Sequence, residues 1–115
     1  VTDRSFPLKA YDDLRKRNPR LIYVSIGGYQ KNRNCAGRFS DDVLISALSG
    51  QVSVTGRRGR KPLPLHPNQV HYATSLYLSL AILLAFRRKL KEKRGVVLDL
   101  SVEECAISVL EDALR

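Results

Sequence analysis

A chain of 115 residues with 43% apolar and 27% charged residues makes one globular domain at most, too apolar for a disordered segment and too poor in cysteine for a disulfide scaffold. Its two cysteines, Cys35 and Cys105, form no CxxC pair, which argues against a thiolate metal site. The net charge of +9 gathers in Arg57-Arg58-Gly59-Arg60-Lys61 and in Arg87 through Arg94; such blocks attract polyanions, or simply solvate a loop and a helix end.

Tyr11 to Arg17 has helical spacing and stops at Asn18-Pro19, because the residue before a proline is pushed out of helical geometry. Leu21 to Ile26 is a short, nearly continuous apolar run closed by Gly27-Gly28, the pattern of a strand covered on both faces. Ser40 is a candidate N-cap, with Asp41 and Asp42 in the first turn of a helix that carries Val43, Leu44, Ala47 and Leu48 and stops at Gly50. Gly56 to Pro67, with its prolines and cations, reads as a long surface loop, and His66 within it as solvated.

The longest element is expected from about Gln69 to Lys91. Ala73, Leu76, Tyr77, Leu80, Leu83 and Leu84 mark one apolar face, and Leu78, Ala81, Ile82 and Ala85 another. A helix apolar on two sides is sandwiched inside a fold or lies in a membrane; the unbroken run Leu80 to Phe86 is much shorter than the ~20 residues of a span, so a buried helix is expected, with no membrane partner. Ser75 and Ser79 are small enough to let another element approach. Val96 to Leu100 is a second buried-type strand. Ser101 with Glu104 forms a capping box for a closing helix whose inward face is Ala106, Val109, Leu110 and Ala113, with Cys105 as a small buried hydrophobe. Alternation of this kind is an α/β layered domain with a mainly parallel sheet. The small strand count, the lack of methionine and the opening Val1-Thr2-Asp3 lead us to expect a partial domain, and the lack of a signal-peptide pattern makes the cytoplasm the expected compartment.

Specific residues go further. Asn18-Pro19-Arg20-Leu21-Ile22-Tyr23-Val24-Ser25-Ile26-Gly27-Gly28-Tyr29, then Ala36, Arg38 and Asp42, then Ala47-Leu48-Ser49-Gly50, Ser53-Val54-Thr55-Gly56, Arg94-Gly95 and Asp99-Leu100-Ser101 follow in order. Together they resemble the family III CoA-transferases, the CaiB–BaiF family, over roughly Tyr11 to Leu114. The resemblance implies a Rossmann-like large domain of which residues 1–115 are a middle part, in a longer chain that forms interlocked dimers. It implies coenzyme A or an acyl-CoA as substrate rather than as a permanently bound cofactor, a carboxylic acid as acceptor, and a second chain, identical or related, as partner.

In that family an aspartate attacks the acyl-CoA thioester, forming a mixed anhydride and then an enzyme–CoA thioester. On this sequence the aspartate position falls on His71, ahead of Tyr72-Ala73-Thr74-Ser75, and Ser75 stands where glycine is usual. His71 reads either as a non-catalytic replacement or as part of an altered chemistry. Racemases of the superfamily use a histidine and an aspartate as paired bases; their positions fall on Asp41 and His71, with the residue types exchanged. Asp41 otherwise reads as a helix-start acid. Gly27 and Gly28 let a backbone approach CoA closely, Tyr29 packs on a ring or on the core, and Arg38 pairs with a phosphate or with Asp42. No metal site is expected. A basic nucleic-acid module is the competing reading from another class; it lacks aromatic residues interleaved with its cations.

Overall fold

β2 (Ile22–Gly27) and β3 (Val96–Ser101), the two apolar runs, lie side by side in parallel, from Ile22 opposite Val96 to Gly27 opposite Ser101. In the computed structural model, which describes residues 2–3, 8–29, 41–57, 59–63 and 67–110, a further strand, β1 (Thr2–Asp3), pairs in parallel with Ser25 and Ile26. The sheet order is β1-β2-β3. A strand of two residues, one of them aspartate, carries no periodicity, so it was not among the expected elements. The α/β class and the mainly parallel sheet stand.

Parallel neighbours need crossover connections. α1 (Leu8–Arg17) joins β1 to β2, and α2 (Asp42–Leu48), α3 (Gln51–Val54) and α4 (Gln69–Glu92) together join β2 to β3. α5 (Val102–Ser108) follows β3 without a gap. α1 stops before Pro19, with Asn18 N–H donating to the Leu14 carbonyl at 2.9 Å, and Tyr11 meets Tyr23 of β2 with ring centroids 4.8 Å apart. Asp41, not a first-turn residue, is the N-cap of α2, and its side chain makes no capping hydrogen bond. Gly50 takes φ 88°, the left-handed conformation that ends a helix cheaply only in glycine, and α3 begins beyond it.

Gly95 enters β3 under a tight constraint. Its N–H donates to the Pro19 carbonyl at 3.0 Å, and a Cβ there would lie 2.5 Å from the Leu21 carbonyl oxygen. The N-cap half of the expected capping box is present: Ser101 Oγ accepts from the Glu104 N–H at 3.4 Å. The core gathers Tyr29, Ile45, Val70, Val102 and Ala106, with Ile26 packed against it, so the end of β2, α2, α4 and α5 converge on one cluster.

α4 has the expected span but not the expected burial. Val70, Thr74 and Ala85 are buried, whereas Leu76, Leu83 and Leu90 are 74%, 67% and 65% exposed. The described elements cover one side of the helix and leave the other apolar side bare. Ser75 and Ser79 lie on exposed positions and bond back along the helix, to the His71 carbonyl at 2.7 Å and the Ser75 carbonyl at 2.8 Å. By length and composition alone, this 24-residue helix is long and apolar enough to cross a membrane.

Candidate functional site

The carboxyl ends of β2 and β3 and the first turn of α4 supply the polar groups. Gly27 is buried beside Ser101, and the Gly28 carbonyl accepts the Glu103 N–H at 3.0 Å, so the glycine pair is bound to the start of α5. Neither glycine takes a positive φ. Tyr29, just beyond, is 7% exposed and belongs to the core cluster. Arg38 and His66 lie outside the described residues.

His71 stands in the first turn of α4, its side chain 47% exposed, with Nε2 3.9 Å from Oδ1 of Asp42. Asp42 is the better buried partner, with 15% of its side chain exposed. Its Oδ2 accepts the Asn68 N–H at 2.8 Å, which ties the start of α2 to the residue that caps α4. Asn68 itself has φ 69°, a left-handed turn that asparagine tolerates, and it swings the chain into α4. Asp42 Oδ1 is buried and has no hydrogen-bond partner among the described residues. A buried carboxylate oxygen left in this way attracts an N–H donor, and among the described residues the ionisable donor within 4 Å is His71.

Of the two residues read as a catalytic pair, His71 and Asp41, the structure therefore gives His71 a carboxylate partner, but that partner is Asp42. Asp41 is exposed, and its carbonyl accepts the Ile45 N–H at 2.9 Å. No spacing rule links residues 42 and 71; the hints in the sequence were that both stand at helix starts and both fall on positions of the family pattern. Nothing in the sequence pointed to Asn68 as the tie between those starts.

Elsewhere, burial pushes the Cys105 thiol up from its ordinary value of 9.0, partly opposed by a hydrogen bond with Thr74. Among the described residues no group of three His, Cys, Asp or Glu side chains could hold a metal ion. A cavity of about 510 Å³ opens between α3, α4 and the end of α5, walled by Val54, Tyr72, Leu76, Tyr77, Leu80 and Leu110 among others. Neither His71 nor Asp42 borders it. It is the hollow beside the bare face of α4 and is separate from the polar pair.

The sequence profile of CoA-transferase family III matches residues 8–114. The chain belongs to that family. An acyl-CoA transferase of Fusarium pseudograminearum is 32% identical over 100 residues, 87% of this chain and 22% of the relative. The human alpha-methylacyl-CoA racemase is 30% identical over 92 residues, 79% of this chain and 24% of that protein. Among solved structures, a CaiB/BaiF family protein from Brucella suis superposes with a TM-score of 0.81 at 28% identity, over 93% of this chain and 30% of that one. This family III chain thus spans under a third of the length of these relatives.

Proposed function

We propose that this chain is an acyl-CoA-handling segment of a family III enzyme in which covalent CoA transfer is lost at His71. The observation that carries the reading is an imidazole in the first turn of α4, where the resemblance puts the nucleophilic aspartate. Transfer through an aspartate needs an oxygen nucleophile that forms an anhydride and then a thioester. An imidazole attacking in its place would give an acyl-imidazole, which water opens before an acceptor acid can collect the CoA, so no transfer pathway follows. The substrates proposed are an acyl-CoA and a carboxylic acid, in the cytoplasm, with the Gly27-Gly28 end of β2 and Arg38 as CoA contacts. The bare apolar face of α4 supports packing against further protein, from the same polypeptide or from an identical or related chain. Its family membership favours that over a bilayer.

The test is acyl exchange between a donor thioester and a free acid by the full-length protein that carries this segment, with a trap for covalent enzyme–CoA adducts. The unmodified protein is expected to show no exchange. His71→Asp combined with Ser75→Gly is expected to restore some, because the second change removes the hydroxyl bonded to the His71 carbonyl and the side chain where glycine is usual. Robust exchange by the unmodified protein, with no aspartate-bearing partner present, overturns the reading.

The kinship to a racemase favours a second reading, proton transfer at the α-carbon of an acyl-CoA. Two bases on opposite faces of one carbon, each about 3–3.5 Å from it, lie about 6–7 Å apart. Asp42 and His71, at 3.9 Å, are too close to serve as that pair, so the racemase reading depends on Asp41.

A further inference from the structure

We propose that His71 and Asp42 form a general-base dyad that hydrolyses an acyl-CoA thioester. The inference rests on the acyl-CoA reading above and goes beyond it by naming the reaction left once covalent transfer is lost. Asp42 presents a buried oxygen, Oδ1, toward Nε2, while its other oxygen is held by the Asn68 N–H at 2.8 Å. A carboxylate fixed on one side of an imidazole favours the tautomer with the proton on the nitrogen facing it. That leaves Nδ1 as the basic atom. The half-exposed ring lets water reach it. The 3.9 Å separation is longer than a hydrogen bond; catalytic contacts are commonly long before substrate binds.

The step balances without a further reactant. Nδ1 takes a proton from water as its oxygen adds to the thioester carbonyl carbon. The tetrahedral adduct then collapses with cleavage of the C–S bond, and the imidazolium returns the proton to the departing thiolate. The products are a carboxylic acid and CoA thiol. Asp42 never touches the substrate; it is a positioning residue that holds the tautomer and stabilises the imidazolium.

The experiment uses the full-length protein with acetyl-CoA and succinyl-CoA, no acceptor acid, and colorimetric detection of free thiol. CoA binding is followed separately by calorimetry, and the His71 tautomer by ¹⁵N NMR. Thiol release is expected in the unmodified protein, falling to the buffer blank in His71→Gln, a loss of about a hundredfold or more. Asp42→Asn keeps an oxygen for the Asn68 N–H, so it tests the dyad without removing the tie between the two helices. It is expected to lower release by about tenfold or more and to move His71 away from the Nε2–H tautomer, while Asp42→Glu recovers part of both. CoA binding without thiol release overturns hydrolysis and leaves the acyl-CoA reading standing; neither binding nor release overturns both. Release that persists in His71→Gln, or a tautomer and rate unchanged in Asp42→Asn, overturns the dyad.

Discussion

The two sides of α4 are built from similar residues and have opposite surroundings. On the inner side Val70 is fully buried against Ile45 and Ala106, both also at 0% exposure, and Thr74 donates to the Val70 carbonyl at 2.7 Å. On the outer side leucines of equal or greater hydrophobicity stand in the open, from Leu76 to Leu90. Hydrophobicity therefore identifies what can be buried, and partners decide what is. The polar site follows the inner side: Asp42 and His71 sit where α2 and α4 are bound together, whereas the 510 Å³ hollow sits against the bare side.

The sharpest test of this contrast compares truncations on the two sides. Ile45→Ala is expected to cost about 2–5 kcal/mol, the lost transfer energy plus a cavity that the rigid seam cannot fill. Leu76→Ala, at 74% exposure, is expected to change the stability of residues 1–115 taken alone by no more than about 0.5 kcal/mol. In the full-length protein, with the face covered as proposed, the same change is expected to rise toward the Ile45 value. Chemical denaturation of both variants in both lengths makes the measurement. Equal costs in the short chain would break the comparison.

A smaller effect is expected where backbone meets backbone. The Gly95→Ala methyl would lie 2.5 Å from the Leu21 carbonyl oxygen and 2.9 Å from that of Pro19, neither of which is the end of a flexible side chain. Relief requires β3 to move away from the turn before β2, at about 1–3 kcal/mol. Denaturation midpoints check the cost, and amide exchange at Gly95 and Val96, whose N–H groups donate to Pro19 and Leu21, checks the place. A silent substitution would mean that this strand entry has slack.

Much of this architecture was legible in the sequence because it depends on local pattern. β2, β3 and α4 fall within about two residues of their expected limits, and the Ser101–Glu104 cap stands where its spacing put it. β1 escaped notice because its pairing with Ser25 and Ile26 is a tertiary fact with almost no local trace. The candidate site divides along the same line. His71 was identifiable from its neighbours in a motif, and its resemblance to a family position led to Asp41. Which of two adjacent aspartates turns toward His71 depends on helix phase and on the backbone of Asn68, so the sequence marked Asp42 as a family-like residue, but its pairing with His71 emerged from the structure. The burial of α4 was overestimated for a related reason: periodicity counts apolar faces, and the described elements cover only one of the two.

The smallest effect concerns Cys105, on the inner side, where α5 packs against α4. The residue is 8% exposed, and desolvation disfavours the thiolate, so the folded chain holds the proton to higher pH than the unfolded chain does. As pH climbs past the ordinary value of 9.0, the unfolded state loses its thiol proton first and binds fewer protons than the folded state. Stability contributed at this position is therefore full below that pH and falls as pH rises toward the folded value. The check is a comparison of denaturation free energies between neutral and alkaline pH in the unmodified chain and in Cys105→Ala, whose difference cancels the titration of groups common to both. The unmodified chain is expected to lose slightly more stability on the alkaline side, and its Cys105 to react slowly with iodoacetamide until the fold is loosened. An identical alkaline slope in both chains would mean that the seam between α4 and α5 admits water, and that the inner side of α4 is less complete than its contacts imply.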